Sequence, residues 1–135
     1  MEKIRLLIVD DEDAFRRTIL KRLKKRGISI EEAGSGEDCL SILGKRPIDV
    51  VVLDVKMPDM DGIETLRHIK KRYPRIEVIM LTGHATTQDG VDGIKTGAFD
   101  YLSKPIELEH LLGKMLSVFE SSYLPYNHEN HSQLH

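Results

Sequence analysis

Asp10, Asp11, Asp54, Thr82 and Lys104 are the residues of this chain whose types and spacing could do chemistry together. Each follows or closes a short, mainly apolar segment that reads as a strand. Asp10 and Asp11 come after Ile4 to Val9, and Asp54 stops the run Val50-Val51-Val52-Leu53. Thr82 follows Ile76 to Leu81, and Lys104 follows Ala98 to Ser103. If these runs are parallel strands, all five side chains emerge at one edge of one sheet, beyond the carboxyl ends where α/β proteins gather ligands. Three carboxylates held close repel one another unless a cation joins them, and hard oxygen ligands suit Mg²⁺ better than zinc. With its charge offset, such a place accepts an anion. Lys104 and the Thr82 hydroxyl are the donors a phosphoryl group needs, and a carboxylate can itself act as nucleophile and become an aspartyl phosphate.

The elements that must position these residues are readable from periodicity. The Val50 run has no polar alternation, which suits a strand covered on both faces. After the first strand, Phe15, Ile19 and Leu23 recur at helical spacing beside Leu20, and Gly27 supplies a stop. Ile28 to Ala33 carries Glu31 and Glu32, as a charged edge strand would. Ser35 can cap a second helix whose inner face is Cys39, Leu40, Ile42 and Leu43. Asp61 and Glu64 have capping-box spacing ahead of Ile63, Leu66 and Ile69. Thr86 or Thr87 can cap a fourth helix running through Val91 and Ile94, although Gly90 and Gly93 sit inside it. Two interior glycines cost about 2 kcal/mol relative to alanine, so this helix is expected to be the most labile, and Gly97 stops it. A last helix presents Leu108, Leu111, Leu112, Met115 and Phe119. Five strands alternating with five helices predict a doubly wound parallel α/β sheet with right-handed crossovers.

At 135 residues the chain fits one domain, and a net charge of -2 gives no global pull toward nucleic acid or membrane. Its longest apolar runs are four residues, far short of the ~20 of a membrane span. Cys39 is the only cysteine, so no intrachain disulfide forms and a cytoplasmic location is expected.

Taken in order, Asp10-Asp11, Asp54, Thr82, Tyr101 and Lys104-Pro105, with the loop Met57-Pro58-Asp59-Met60-Asp61-Gly62, resemble the receiver domain of two-component response regulators, the CheY-like superfamily. The resemblance covers about Ile4 to Glu120, giving a receiver domain over residues 1–120 and a polar tail or linker over 121–135. It implies a flavodoxin-like fold with strand order 2-1-3-4-5 and helices on both faces. It also implies that Asp54 accepts a phosphoryl group from a sensor histidine kinase or phosphotransfer protein. Asp11, Asp54 and the Lys56 backbone carbonyl would hold Mg²⁺ directly, with Asp10 acting largely through water. Thr82 and Tyr101 would be the switch pair, Lys104 would meet a phosphoryl oxygen, and the Lys104-Pro105 bond would be cis. The signal would leave through the fourth helix, fifth strand and fifth helix to a downstream protein or an output domain beyond this chain. The domain itself would neither bind nucleic acid or membrane nor turn over a substrate, and a phosphorylation-dependent homodimer is compatible with it. The resemblance also implies that Lys56 and His84, two residues after Asp54 and Thr82, would tune the lifetime of the phosphoryl group.

Each residue also has a bland reading. Asp11 can cap the first helix, Asp54 can open a turn, Thr82 can bond its own backbone, and Lys104-Pro105 can start a helix. Tyr101 can be edge-strand packing, and Gly90 and Gly93 either free the fourth helix to reorient or are tolerated drift. The basic residues of the first helix, Arg16, Arg17, Lys21, Arg22, Lys24, Lys25 and Arg26, are either a solvated face or a docking surface for an acidic partner. His128, His131 and His135 in the tail suggest no designed site. Two other functions remain: an aspartyl-phosphate hydrolase using Asp11 of Asp11-Glu12-Asp13 as nucleophile, and a receiver-like scaffold that is never phosphorylated.

Overall fold

The unbroken apolar runs become the centre of a sheet. A computed structural model describes residues 4–57, 60–83 and 87–123, excepting the side chains of Thr87 and of 119–123. Pro58, Asp59, His84, Thr86, the Phe119 side chain and the three tail histidines therefore lie outside the described residues. The elements run β1 (Arg5–Val9), α1 (Asp13–Lys24), β2 (Ser29–Ala33), α2 (Gly36–Leu43), β3 (Val50–Asp54), α3 (Gly62–Arg72), β4 (Glu77–Thr82), α4 (Thr87–Thr96), β5 (Asp100–Ser103) and α5 (Leu108–Tyr123). The five strands pair in parallel in the order β2-β1-β3-β4-β5, the doubly wound flavodoxin-like arrangement expected. Residues 1–105, with the sheet and α1 to α4, form one compact unit, and residues 106–135, with α5, form a second.

Strand order reverses after β2, so right-handed crossovers place α1 on one face and α2, α3 and α4 on the other. On the latter face Leu7, Val9, Val51, Leu53, Val78 and Met80 pack with Cys39, Leu43, Leu66 and Ile69. The alternate residues Leu6, Ile8, Val50, Val52, Ile79 and Leu81 are equally buried, which explains why these strands lack polar alternation. β2 stands at one edge, where Glu31 and Glu32 pair with Arg46 and Arg16 and keep the strand charged. Burial pushes the Cys39 thiol up to about 12, as befits an inert core side chain.

The caps form as their spacing predicts. Ser35 Oγ accepts from Asp38 N at 3.1 Å, and Asp61 Oδ1 accepts from Glu64 N at 2.8 Å. Gly27 and Gly97 take the positive φ values, 76° and 120°, that end their helices.

Two helices pack in ways that their periodicity does not register. α4 turns Val91 and Ile94 outward, at 37% and 45% exposure, and buries Gly90 and Gly93 instead. A Cβ on Gly90 would fall 2.6 Å from ring atoms of Tyr101, and one on Gly93 would be 3.1 Å from Met80 Cγ. The glycines are therefore a close-packing device: Tyr101 and Met80 already fill the space over β4 and β5, and only a helix without side chains there can approach. In α5 the buried stripe is Leu111, Met115 and Val118, Leu108 and Leu112 are half-buried, and Leu116 is 40% exposed. Val118 continues the i, i+4, i+7 row from Leu111, so the inner stripe is rotated from the one expected through Leu108 and Leu112.

Candidate functional site

The ladder continues for one residue past several strands and levels their ends. Asp10 N donates to Ala33 O at 3.1 Å, Val55 N to Leu81 O at 2.9 Å, and Lys104 N to Thr82 O at 2.9 Å. Gly62 presses on the main chain at the end of β3, where a Cβ would fall 2.2 Å from Asp54 O, and its N–H donates to Val55 O at 2.7 Å. That contact seats the start of α3 against Asp54 and Val55 and requires glycine at 62. Asp10, Asp54 and Thr82 are buried at this edge and Asp11 is exposed beside them. One carboxylate oxygen from each of Asp10, Asp11 and Asp54 lies within 4.8 Å of the others, a cluster that can hold a metal ion.

Lys104 reaches into this cluster. Its Nζ is 2.6 Å from Asp10 Oδ2, 3.1 Å from Glu12 Oε1 and 3.8 Å from Asp54 Oδ2, and it sits 4.4 Å from the centroid of the Phe15 ring. Burial works to lower the Lys104 pKa, but Asp10, Glu12 and Asp54 outweigh it and raise it. Burial also pushes Asp54 up to about 6, helped by the charges of Asp10 and Asp11 and opposed by Lys104 and by the Lys56 N–H, which donates to Asp54 Oδ1 at 3.3 Å. A carboxylate so disfavoured is one to which a cation would bind favourably.

The leftover polar atoms test what the site fits. Glu12 N donates to Asp10 Oδ1 at 2.9 Å, whereas Asp10 Oδ2 meets Lys104 as an ion pair without hydrogen-bond geometry. The Thr82 hydroxyl is buried without a hydrogen-bond partner among the described residues. A buried hydroxyl left unpaired is costly, so this edge is suited to a ligand with oxygen acceptors. Hard carboxylate oxygens and no sulfur or imidazole among the clustered ligands fit a hard divalent cation.

Sequence reasoning placed Asp10, Asp11, Asp54, Thr82 and Lys104 on one edge, and the structure brings all five there. The N-cap of α1 is Glu12, so Asp11 does not cap it, and α5 begins only at Leu108, so Lys104-Pro105 is not its first turn. The Lys104-Pro105 peptide is cis. Tyr101 is half-buried against Gly90, the Lys56 side chain is exposed, and His84 lies outside the described residues.

Three residues with other readings in the sequence, Phe15 on the periodic face of the first helix, Arg16 on its basic face and Glu12 within Asp11-Glu12-Asp13, are neighbours of the site. Arg16, 13% exposed, donates through Nη1 to Asp10 O at 2.5 Å, through Nε to Glu32 Oε1 at 2.9 Å, and through Nη2 to Asp13 Oδ1 at 2.5 Å. It ties the turn carrying Asp10 to α1 and β2. Within a run of basic residues its sequence position carried no signal of this role.

Comparison with known proteins agrees with this geometry. Residues 6–116 match the model of the response regulator receiver domain. The chain is 40% identical over 114 residues to a putative NtrX-like response regulator of Rickettsia conorii, covering 83% of this chain and 24% of that protein. It is 38% identical over 112 residues to the response regulator MprA of a Mycobacterium species, covering 83% of this chain and 49% of that one. The chain thus spans about a quarter to a half of the length of these relatives. Among solved structures, a CheY-like receiver domain protein from Methanospirillum hungatei superposes with a TM-score of 0.85 at 30% identity, covering 90% of this chain and 98% of that one. NtrX from Brucella abortus gives a TM-score of 0.87 at 27% identity, covering 96% of this chain and 29% of its own. With its sheet order, its acidic edge and a family match over most of its length all in agreement, the chain belongs to the response regulator receiver domain family.

Proposed function

We propose that this chain is a phosphorylation-dependent switch in which Asp54 accepts a phosphoryl group from a phosphohistidine on a sensor kinase or phosphotransfer protein. The observation that carries the reading is the convergence on Asp54: two further carboxylates within 4.8 Å, the Lys104 ammonium at 3.8 Å, and, at the end of the neighbouring strand, a buried threonine hydroxyl without a partner among the described residues. An Asp54 oxygen bonds to phosphorus as the phosphorus–nitrogen bond of the donor breaks, and the imidazole leaves with the electron pair. Asp10, Asp11, Asp54 and the Lys56 carbonyl are the groups that would hold Mg²⁺, which supplies charge compensation for the carboxylates and phosphoryl oxygens. Lys104 moves from Asp10 and Glu12 to a phosphoryl oxygen, and the Thr82 hydroxyl donates to another. Attack by water on phosphorus then releases phosphate and restores Asp54.

Tyr101 follows Thr82, and the signal passes through α4, β5 and α5 to an output domain or a separate protein. The relatives' greater length favours an output domain. No described helix is long and apolar enough to cross a membrane, and a cytoplasmic site of action fits this role. Lys56, exposed two residues after Asp54, and His84 set how readily water reaches the phosphoryl group.

Incubation with acetyl phosphate and Mg²⁺ tests the acceptor. One phosphoryl group per chain, absent in Asp54→Asn, is expected by intact mass; labelling of Asp11 with continuous phosphate release, or no labelling at all, would overturn the reading. For the lifetime, Lys56→Ala combined with His84→Ala changes the decay rate of the labelled form several-fold, and an unchanged rate removes both residues from that role.

A further inference from the structure

Glu12 stands where a helix cap should be and does not cap. It is the N-cap residue of α1, yet its side chain makes no capping hydrogen bond. N-cap positions favour short Ser, Thr, Asp or Asn side chains that fold back onto the first-turn N–H groups. Glu12 instead extends its carboxylate away from its helix to Lys104, 92 residues further along, with Oε1 at 3.1 Å from Nζ. The contact is at the mouth of the acidic edge, since Glu12 is 66% exposed while Lys104 is 15% exposed and Asp10 is fully buried. Lys104 is thereby held by Asp10 from inside and by Glu12 from outside, with its Nζ over the Phe15 ring, and Asp54 is the most distant of its three carboxylate neighbours.

We propose that Glu12 is a latch that sets the rate of phosphoryl acceptance by holding the Lys104 ammonium an incoming phosphoryl group must recruit. This rests on the assignment of Asp54 as phosphoacceptor. Glu12 is a positioning residue acting through Lys104, and it opposes the reaction in two ways. It competes for the cation, and it places a negative charge where an anionic donor must pass. Its release costs little because the pair is largely exposed on one side, so the latch slows acceptance without preventing it.

Two measurements on the whole chain decide the matter. The first is the rate of labelling by acetyl phosphate and Mg²⁺, followed by intact mass, for wild type, Glu12→Gln, Glu12→Ala and Asp13→Asn. Asp13 is adjacent, 73% exposed and paired with Arg16, so it reports the loss of a nearby charge without a Lys104 contact. Labelling is expected to rise roughly two- to fivefold in both Glu12 variants and by less than about 1.5-fold in Asp13→Asn. An equal rise in Asp13→Asn, or no rise in the Glu12 variants, would overturn the latch. The second measurement needs no phosphorylation: the reactivity of the Lys104 amine toward acetic anhydride, read by peptide mass, is expected to increase at least about twofold in Glu12→Gln. Unchanged reactivity overturns the latch. Increased reactivity in a chain that acetyl phosphate never labels would confirm the contact while refuting both its role in rate and the phosphoacceptor assignment.

Discussion

Asp54 is a carboxylate that the fold makes reluctant to ionise, and this has a measurable consequence for stability. Its pKa of about 6 in the folded protein lies above the ordinary 3.8, so folding favours the protonated form. The stabilisation is fully present below the unfolded value and is lost as pH rises through about 6. In a chelator the ionised wild type therefore carries a penalty at neutral pH that Asp54→Asn lacks. About two pKa units correspond to about 3 kcal/mol, which water access at the strand end reduces to on the order of 1–2 kcal/mol. Urea denaturation in chelator is expected to show Asp54→Asn more stable than wild type by that margin at pH 7.5, with the gap shrinking toward pH 4. A gap that is the same at both pH values would mean that carboxylate repulsion and burial are not its source.

Through Gly90 and Gly93, α4 comes close enough to the sheet that an added Cβ would meet Tyr101 and Met80. Alanine at an interior helical glycine ordinarily gains up to about 1 kcal/mol, and the exposed Gly113 of α5, with nothing within 4 Å of an added Cβ, should behave so. Gly90 should do the opposite, because the added methyl meets the Tyr101 ring at 2.6 Å and must displace it. Overpacking of this kind outweighs the propensity gain, leaving Gly90→Ala destabilised by about 1–2 kcal/mol. In a Tyr101→Ala background the same substitution becomes neutral or stabilising. Equilibrium unfolding of the double-mutant cycle isolates that coupling, and a Gly90→Ala cost independent of Tyr101 would show that the ring is not what the glycine accommodates. The sequence places α4 through Val91 and Ile94 but does not say which face it buries. Val91 and Ile94 were the only large apolar side chains available to define an inner face, and periodicity cannot register that Tyr101 and Met80 from the strands already occupy the space. The caps at Ser35 and Asp61 were readable because they involve residues three positions apart.

At the scale of the whole molecule, a parallel sheet turns chain order into spatial assembly. Acids, threonine and lysine at the ends of successive strands meet because all their carboxyl ends lie on one edge, so most of the site was legible in the polar residues that terminate the apolar runs. Glu12 and Arg16 were not readable this way. Glu12 meets Lys104 across 92 residues of chain, and Arg16 reaches a backbone carbonyl, a contact that no residue-type pattern marks. The same assembly concentrates negative charge at one edge of a chain whose net charge is only -2, so cation binding there should be coupled to global folding. A cation that binds only the folded chain adds stability in proportion to the logarithm of its concentration once above the dissociation constant, about 1.4 kcal/mol per decade for each ion. Denaturation free energies measured across a Mg²⁺ series at fixed ionic strength are thus expected to rise with a limiting slope near one ion per chain. The slope should collapse in Asp11→Asn, which removes a ligand from the exposed side of the cluster. A slope near zero in wild type would show that the three carboxylates share no cation, and a slope near two would place a second ion outside them.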